Sequence, residues 1–296
     1  VSQGSMRQVV LLCCAGALVG AINVNAPATG IGARLSGLTL PRATDAVTVD
    51  LGEALAGGDG STLLVLGTYA ADFNQIEYAQ KLRHYLPALQ EKGVARALMV
   101  VNGDAKQCNQ LRDLLDLPGE IELLCDPAGE AGRQFGVSRG WLPEEQDMSA
   151  YLKLLGMLVG LGAGGTLPSV ITGYIGNPWG KAGWIEAALA QGQAAGRWPG
   201  MALDLGADGA VERNAFTELP LVGGWGRRPL ELATLRLQNM VGLSISNWND
   251  LQPTDERCLT QLGGCAVVGP AGETLFEFVD NGICGTANFE DILEKL

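Results

Sequence analysis

Along the chain, short dense apolar runs alternate with stretches of helical spacing, and their order predicts the architecture. Residues 61–67 (STLLVLG) form a largely apolar run of strand length, the pattern of a strand covered on both faces. A turn at 68–73 follows, and then Ile76, Ala79, Leu82, Tyr85, Leu86 and Leu89 recur at helical spacing, predicting a helix over 74–92 with a kink at Pro87 and a stop at Gly93. Residues 95–101 (ARALMVV) read as a second buried strand. Asn102-Gly103-Asp104 then caps a helix over 105–115, and 121–125 gives a third strand before Asp126-Pro127. This strand-helix-strand order predicts a parallel sheet. A further helical stretch spans 129–135 and ends in Gly136-Val137-Ser138-Arg139-Gly140.

The flanks complete the picture. Leu38 and Leu40, then Val47, Val49 and Leu51, predict a hairpin over 38–55 closed by the Gly-rich turn at 57–60. Sheet signals return at 263–268 and 274–278 around Gly269-Pro270-Ala271-Gly272-Glu273, a second hairpin, and Asn288 caps a closing helix to Leu296. The expected fold class is therefore α/β, a central sheet flanked by helices. Residues 141–255 differ in texture: all six Trp of the chain fall there among Gly and Pro, with helices expected near 184–193 and 229–241. Such an aromatic, Gly-rich insertion is more often a packing or docking element than a catalytic one. Four segments result: 1–30, an apolar anchor or docking segment; 31–140, the first part of the sheet domain; 141–255, the insertion; and 256–296, the closing hairpin and helix.

Two uncharged stretches raise the question of a membrane. Residues 9–22 are fourteen apolar residues after Arg7, closer in length to a signal-peptide core than to a spanning helix. They are expected to anchor the chain or dock it on a membrane partner, with a buried core helix or an uncleaved presequence as the alternatives. Residues 154–180 carry no charge and contain Gly156-x3-Gly160-x3-Gly164, a spacing that permits close helix approach. A single crossing there would put the strands at 62–66 and 264–268 on opposite sides of a membrane, although both belong to one sheet. The reading is a helix over 148–160, then a Gly-rich loop facing a membrane or partner.

Composition narrows the chemistry. The 296 residues carry a net charge of -12 with no sustained Lys/Arg run, which excludes nucleic acid as a partner. His84 is the single histidine and no Cys pair has C-x2-C spacing, so neither a metal cage nor a Ser-His-Asp machine is expected, and no cofactor is implied. On an amphipathic helix, His84 reads as exposed or capping. The seven Cys (Cys13, Cys14, Cys108, Cys125, Cys258, Cys265 and Cys284) are too scattered for a disulfide framework and read mainly as buried thiols.

Val65-Leu66-Gly67-Thr68-Tyr69, Asp126-Pro127, the run from Phe135 to Gly140, and Gly263-Gly264 through Phe278 with Asp280 beyond carry a resemblance over about 62–140 and 258–296. In their order and spacing the chain resembles the peroxiredoxin-like 2 branch of the alkyl hydroperoxide reductase/thiol-specific antioxidant (AhpC/TSA) superfamily, which implies a thioredoxin-like fold. The resemblance also implies one cysteine or a pair at the head of the first long helix, where the helix N-terminus favours the thiolate. Here Asp72 and Gln75 hold those positions, and neither attacks a peroxide nor exchanges a disulfide. Asp72 reads as a helix N-cap in preference to a catalytic acid.

Two functions follow as expectations. One is a non-catalytic thioredoxin-fold protein acting as a structural or assembly subunit of a membrane complex. Resemblance of the whole chain to proteins of oxygenic phototrophs implies a thylakoid setting and a photosystem or antenna partner. The other is a peroxiredoxin-like oxidoreductase using Cys258, Cys265 or Cys284, with Cys108 and Cys125 read as buried. A pigment or small-molecule binder using the insertion's aromatic residues is a third.

Overall fold

The computed structural model describes residues 30–56, 58–145, 147–175, 183–197, 202–226 and 228–296. The apolar run at 9–22, Cys13, Cys14, Trp179 and Trp198 lie outside them. The chain opens with α1 (Ile31–Arg34), a small antiparallel pair β1 (Thr39–Pro41) and β2 (Thr48–Asp50), and α2 (Leu51–Leu55). The expected hairpin over 38–55 therefore ends early, because the Asp50 side chain accepts from Glu53 N and caps a helix in place of further strand. Then come β3 (Ser61–Leu66), α3 (Phe73–Glu91), β4 (Val94–Val101), α4 (Ala105–Leu115), β5 (Ile121–Cys125) and α5 (Glu130–Phe135). The insertion holds α6 (Ala150–Leu158), α7 (Thr166–Ile175), α8 (Gly183–Ala194), a hairpin β6 (Leu203–Leu205) and β7 (Val211–Asn214), and α9 (Glu231–Thr234). A π-helical turn, Leu235–Met240, runs on into α10 (Val241–Ser246) and then α11 (Trp248–Leu251). The chain closes with β8 (Gly264–Val268), β9 (Thr274–Val279) and α12 (Phe289–Lys295).

Among the described residues the central sheet has the order β5-β4-β3-β8-β9. Strands β3, β4 and β5 run parallel, and β8 pairs antiparallel with both β3 and β9. The unbroken apolar runs are explained by two covered faces. Leu63, Val65, Met99, Leu123 and Val267 enter a core beneath α3 and α4, whereas Leu64, Leu66, Leu98, Leu124 and Val268 enter a second one beneath α1, α2 and α5. Each such side chain, fully buried, contributes about 1.5–3 kcal/mol.

The insertion is not a separate layer. Trp184, Ile185, Leu189, Leu235, Met240 and Leu243 join the same core as Ile76, Leu82 and Met99, so 141–255 completes the α3 side of the sheet. The Gly-rich stretch after α6 is not all loop as expected. Thr166–Ile175 is helical, with Pro168 in its first turn, where a missing N–H leaves no intrahelical bond unmade. A Cβ on Gly156 would stand 2.3 Å from the Trp141 ring, so this glycine receives an aromatic side chain of its own domain. Among the described residues no helix is long and apolar enough to cross a membrane.

Candidate functional site

The turn between β3 and α3 is the place to begin. Asp72 has extended backbone (φ -76°, ψ 148°), and its carboxylate accepts from Asn74 N at 3.2 Å, as an N-cap does. Thr68 Oγ1 donates to the same oxygen, Oδ2, at 2.6 Å. Burial pushes the Asp72 carboxyl up to about 6, against the pull of hydrogen bonds from Thr68, Asn74 and Phe73. Gln75 is fully buried one turn on. Its Oε1 accepts from Thr68 N at 3.0 Å and its Nε2 lies 3.2 Å from Met99 Sδ, so one amide ties the head of α3 to the sheet.

The next residues of α3 hold the loop that follows β9. Asn74 Nδ2 donates to Asp280 Oδ2 at 2.7 Å and to Gly282 O at 3.0 Å, while its Oδ1 accepts from Cys284 N at 2.6 Å. Tyr78 Oη donates to Asp280 Oδ1 at 2.6 Å and accepts from Ala287 N at 3.1 Å. Burial pushes the Asp280 carboxyl up to about 7, with Tyr78, Asn74 and Lys81 opposing. Farther along the helix, burial acts to raise Glu77, but the charges of Arg236 and Lys81 outweigh it and hold the carboxyl at about 2. Arg236 reaches both Glu77 oxygens, at 3.0 and 3.2 Å, and also donates to Ser169 O and Cys284 O. Lys81 Nζ sits 2.9 Å from Glu77, donates to Thr286 Oγ1 and Ala287 O, and lies 5.0 Å from the centre of the Trp184 ring.

These charges form the floor of a cleft of about 530 Å³. Because the donors on Arg236 and Lys81 are directed at partners within the chain, the floor is a brace joining α3, the insertion and the closing loop. Asn74, Glu77, Tyr78 and Arg236 were not picked out from the sequence. The signal was present in Asn74, Glu77, Tyr78 and Lys81, polar or charged groups on α3 at spacings of three and four that complement its apolar face.

A parallel βαβ core, a helix start at the end of the first central strand and a closing antiparallel hairpin are the thioredoxin-like arrangement. A family model described as AhpC/TSA antioxidant enzyme matches residues 81–282, more than half of the chain. The chain belongs to the AhpC/TSA family. The match opens inside α3 and runs through the insertion, so it leaves out the turn at 72–75. No curated protein matches the chain.

For an AhpC/TSA chain the thiols matter most, and those described are all free and buried. Cys258, Cys265 and Cys284, the three expected as a reactive set, lie in different surroundings. Cys258 Sγ approaches Pro127 O at 3.7 Å among Asp255, Asp126 and Arg133, and burial pushes its thiol up to about 12. Cys265 faces the core from β8, and burial raises it well above the ordinary range. Cys284 has left-handed backbone (φ 61°), and burial pushes it up to about 12 despite Arg236.

Cys108 and Cys125 are the pair that the fold brings together, with Sγ atoms 3.5 Å apart in a shared hydrogen bond. That bond raises Cys108 and lowers Cys125. From the sequence both read only as buried, although a signal for the pair is present: Ile121, Leu123 and Cys125 alternate onto the sheet face that α4 covers with Cys108, Leu111 and Leu115. His84 is exposed, with its ring edge-on to Tyr85 at 4.8 Å, and burial and Arg83 lower its pKa. Among the described residues no group of His, Cys, Asp and Glu could hold a metal ion.

Proposed function

We propose that this AhpC/TSA-family chain is a non-catalytic thioredoxin-fold protein that serves as a structural subunit of a membrane-associated complex. The observation that carries this reading is the head of α3. Where the resemblance implies a nucleophile, Gln75 is spent on Thr68 and Met99, and Asp72 on the helix start. No thiol stands there to form a thiolate. Support for a docking role comes from α6 and α7, whose outer faces expose Tyr151 (77%), Leu155, Val159, Ile171 (54%) and Ile175 over a surface without an exposed charge. A thylakoid complex, with a photosystem or antenna as partner, is the setting implied by the resemblance.

Peroxidase turnover with a dithiol reductant tests the first half, comparing the natural chain with a variant in which all seven Cys are Ser. Equal rates are expected, and a rate above the variant's would overturn the reading. Native-gel migration of solubilised membranes tests the second. The chain should run with a large complex, and Leu155→Glu with Ile171→Glu should release it.

One observation favours a second reading. The 3.5 Å approach of Cys108 and Cys125 suits an oxidoreductase in which a hydroperoxide takes two electrons from the two thiols, giving a disulfide, an alcohol and water. Peptide mapping after mild peroxide treatment separates the two readings, since a Cys108–Cys125 disulfide must appear for the second to stand.

A further inference from the structure

Over the turn that opens α3 lies a half-open cavity of about 250 Å³, bordered by α6 on one side and by α10 and α11 on the other. Its walls are apolar, with Phe73, Leu154, Leu158, Val241, Ile245 and Trp248 supplying most of the surface. Four polar side chains line it, one of them, Tyr151, being 77% exposed. The Ser244 hydroxyl is already committed to Ala71 O. The other two, Tyr69 and Asp72, are neighbours at the turn.

Tyr69 is 3% exposed, with its ring edge-on to Trp248 at 6.0 Å. Its hydroxyl takes part in none of the hydrogen bonds among the described residues and is not one of the sealed polar atoms left without a partner, so it opens onto the cavity. Asp72 uses Oδ2 for both Thr68 Oγ1 and Asn74 N, and its carboxylate also accepts from Phe73 N. An apolar cavity whose base carries one phenol and one carboxylate is matched to a ligand that is apolar along its length and polar at one end.

Chemistry selects that polar group. A hydroxyl accepts from the Tyr69 phenol and donates to the Asp72 carboxylate with a single oxygen. A carboxylate ligand would face Asp72 with like charge, an ammonium has no lone pair for Tyr69, and a pure hydrocarbon leaves both groups unpaired. Size sets the rest. The cavity exceeds the roughly 150 Å³ that holds benzene and falls below the usual range of about 300–1,000 Å³ for drug-sized ligands, which suits about ten to fourteen non-hydrogen atoms.

We propose that this cavity binds a small, neutral, apolar alcohol or phenol, its hydroxyl held between Tyr69 and Asp72 and its ring or chain against Trp248, Phe73 and Leu154. Burial and the charge of Asp72 keep the Tyr69 phenol protonated, as a donor must be. The position vacated by redox chemistry becomes the polar end of a ligand pocket. This assignment needs neither the absence of peroxidase activity nor a membrane partner, so it stands or falls apart from the scaffold reading.

Isothermal titration calorimetry on the full chain at pH 7.5, with 1-naphthol and naphthalene as paired probes, tests it. The naphthol should bind about tenfold or more tightly than the hydrocarbon, because a site built for a hydroxyl penalises its loss. Tyr69→Phe should cut that preference to about threefold or less while naphthalene binds as before. Ile245→Trp, a change on an exposed wall residue, should weaken both probes by filling the cavity, and circular dichroism confirms that each variant is folded. Equal affinity for the two probes, no binding of either to the folded chain, or an unchanged preference in Tyr69→Phe would each overturn the proposal.

Discussion

A Cβ placed on residue 67 would stand 1.7 Å from Gln75 Oε1, so Gly67 and Gln75 occupy their places as a pair. The Gln75 side chain reaches into space that only a glycine leaves open. Gly67→Ala should therefore destabilise the fold by about 3 kcal/mol or more, read from urea denaturation. Adding Gln75→Ala should restore only part of the loss, because the Val100 carbonyl would still lie 2.6 Å from the new methyl. A loss below about 0.5 kcal/mol would contradict this packing.

Stability should rise as pH is lowered from 7.5 to about 5. Asp72 and Asp280 have folded pKa values of about 6 and 7, above the ordinary 3.8, so their contribution is fully present below about 4 and is lost as pH rises through 6 and 7. Each group adds a slope of at most about 1.4 kcal/mol per pH unit. Glu77 has the opposite sign: held at about 2, below its ordinary 4.5, it stabilises above 4.5 and ceases to do so as pH falls toward 2. Urea midpoints across this range should show a maximum on the acid side, and Asp280→Asn should flatten the limb between pH 5 and 7.5.

Removal of Glu77 should harm the protein more than removal of any exposed carboxylate. Glu77→Ala removes the carboxylate whose two oxygens both meet the buried Arg236 guanidinium, a loss of about 3–5 kcal/mol. Asp45→Ala, at an exposed ion pair with Arg42, should change stability by about 1 kcal/mol or less. Limited proteolysis should find 141–255 cut faster in the Glu77 variant, since Arg236 ties that region to α3.

Iodoacetamide labelling of the native chain, mapped by mass spectrometry, should leave Cys258, Cys265 and Cys284 unmodified on a timescale that labels free peptide thiols. Burial and raised thiol pKa values both suppress the thiolate. Cys125, whose pKa is lowered by Cys108, should be the first of the described thiols to react. Labelling of Cys284 ahead of Cys125 would contradict that ranking.

The sheet was legible in the sequence because each of its central strands is covered on both faces and so reads as an apolar run, Leu63 to Leu66 being the plainest case. Asp72 as a cap was legible for a local reason, since capping involves only the next two or three residues. What the sequence hid is long-range or carries a weak local pattern. Glu77 meets Arg236, 159 residues away inside the insertion, and no periodicity records that contact. The helix Thr166–Ile175 was masked by its own Gly and Pro, and β6 and β7 are too short to show alternation. Tyr69 figures in the sequence only among the residues that carry the resemblance, and its place on the cavity wall depends on helices far along the chain.

The pairing of Thr62 with Val268 leaves β3 half finished for a long time during synthesis. About 200 residues separate the two strands, so at ordinary ribosomal speed roughly 10–40 s pass before β8 can cover the open edge. Until then Leu63 to Leu66, paired with β4 on one side only, presents an open apolar edge, the feature most apt to join another nascent chain. The growing polypeptide should therefore depend on chaperones, and at high expression it should form inclusion bodies more readily than a chain whose neighbouring strands are made in succession.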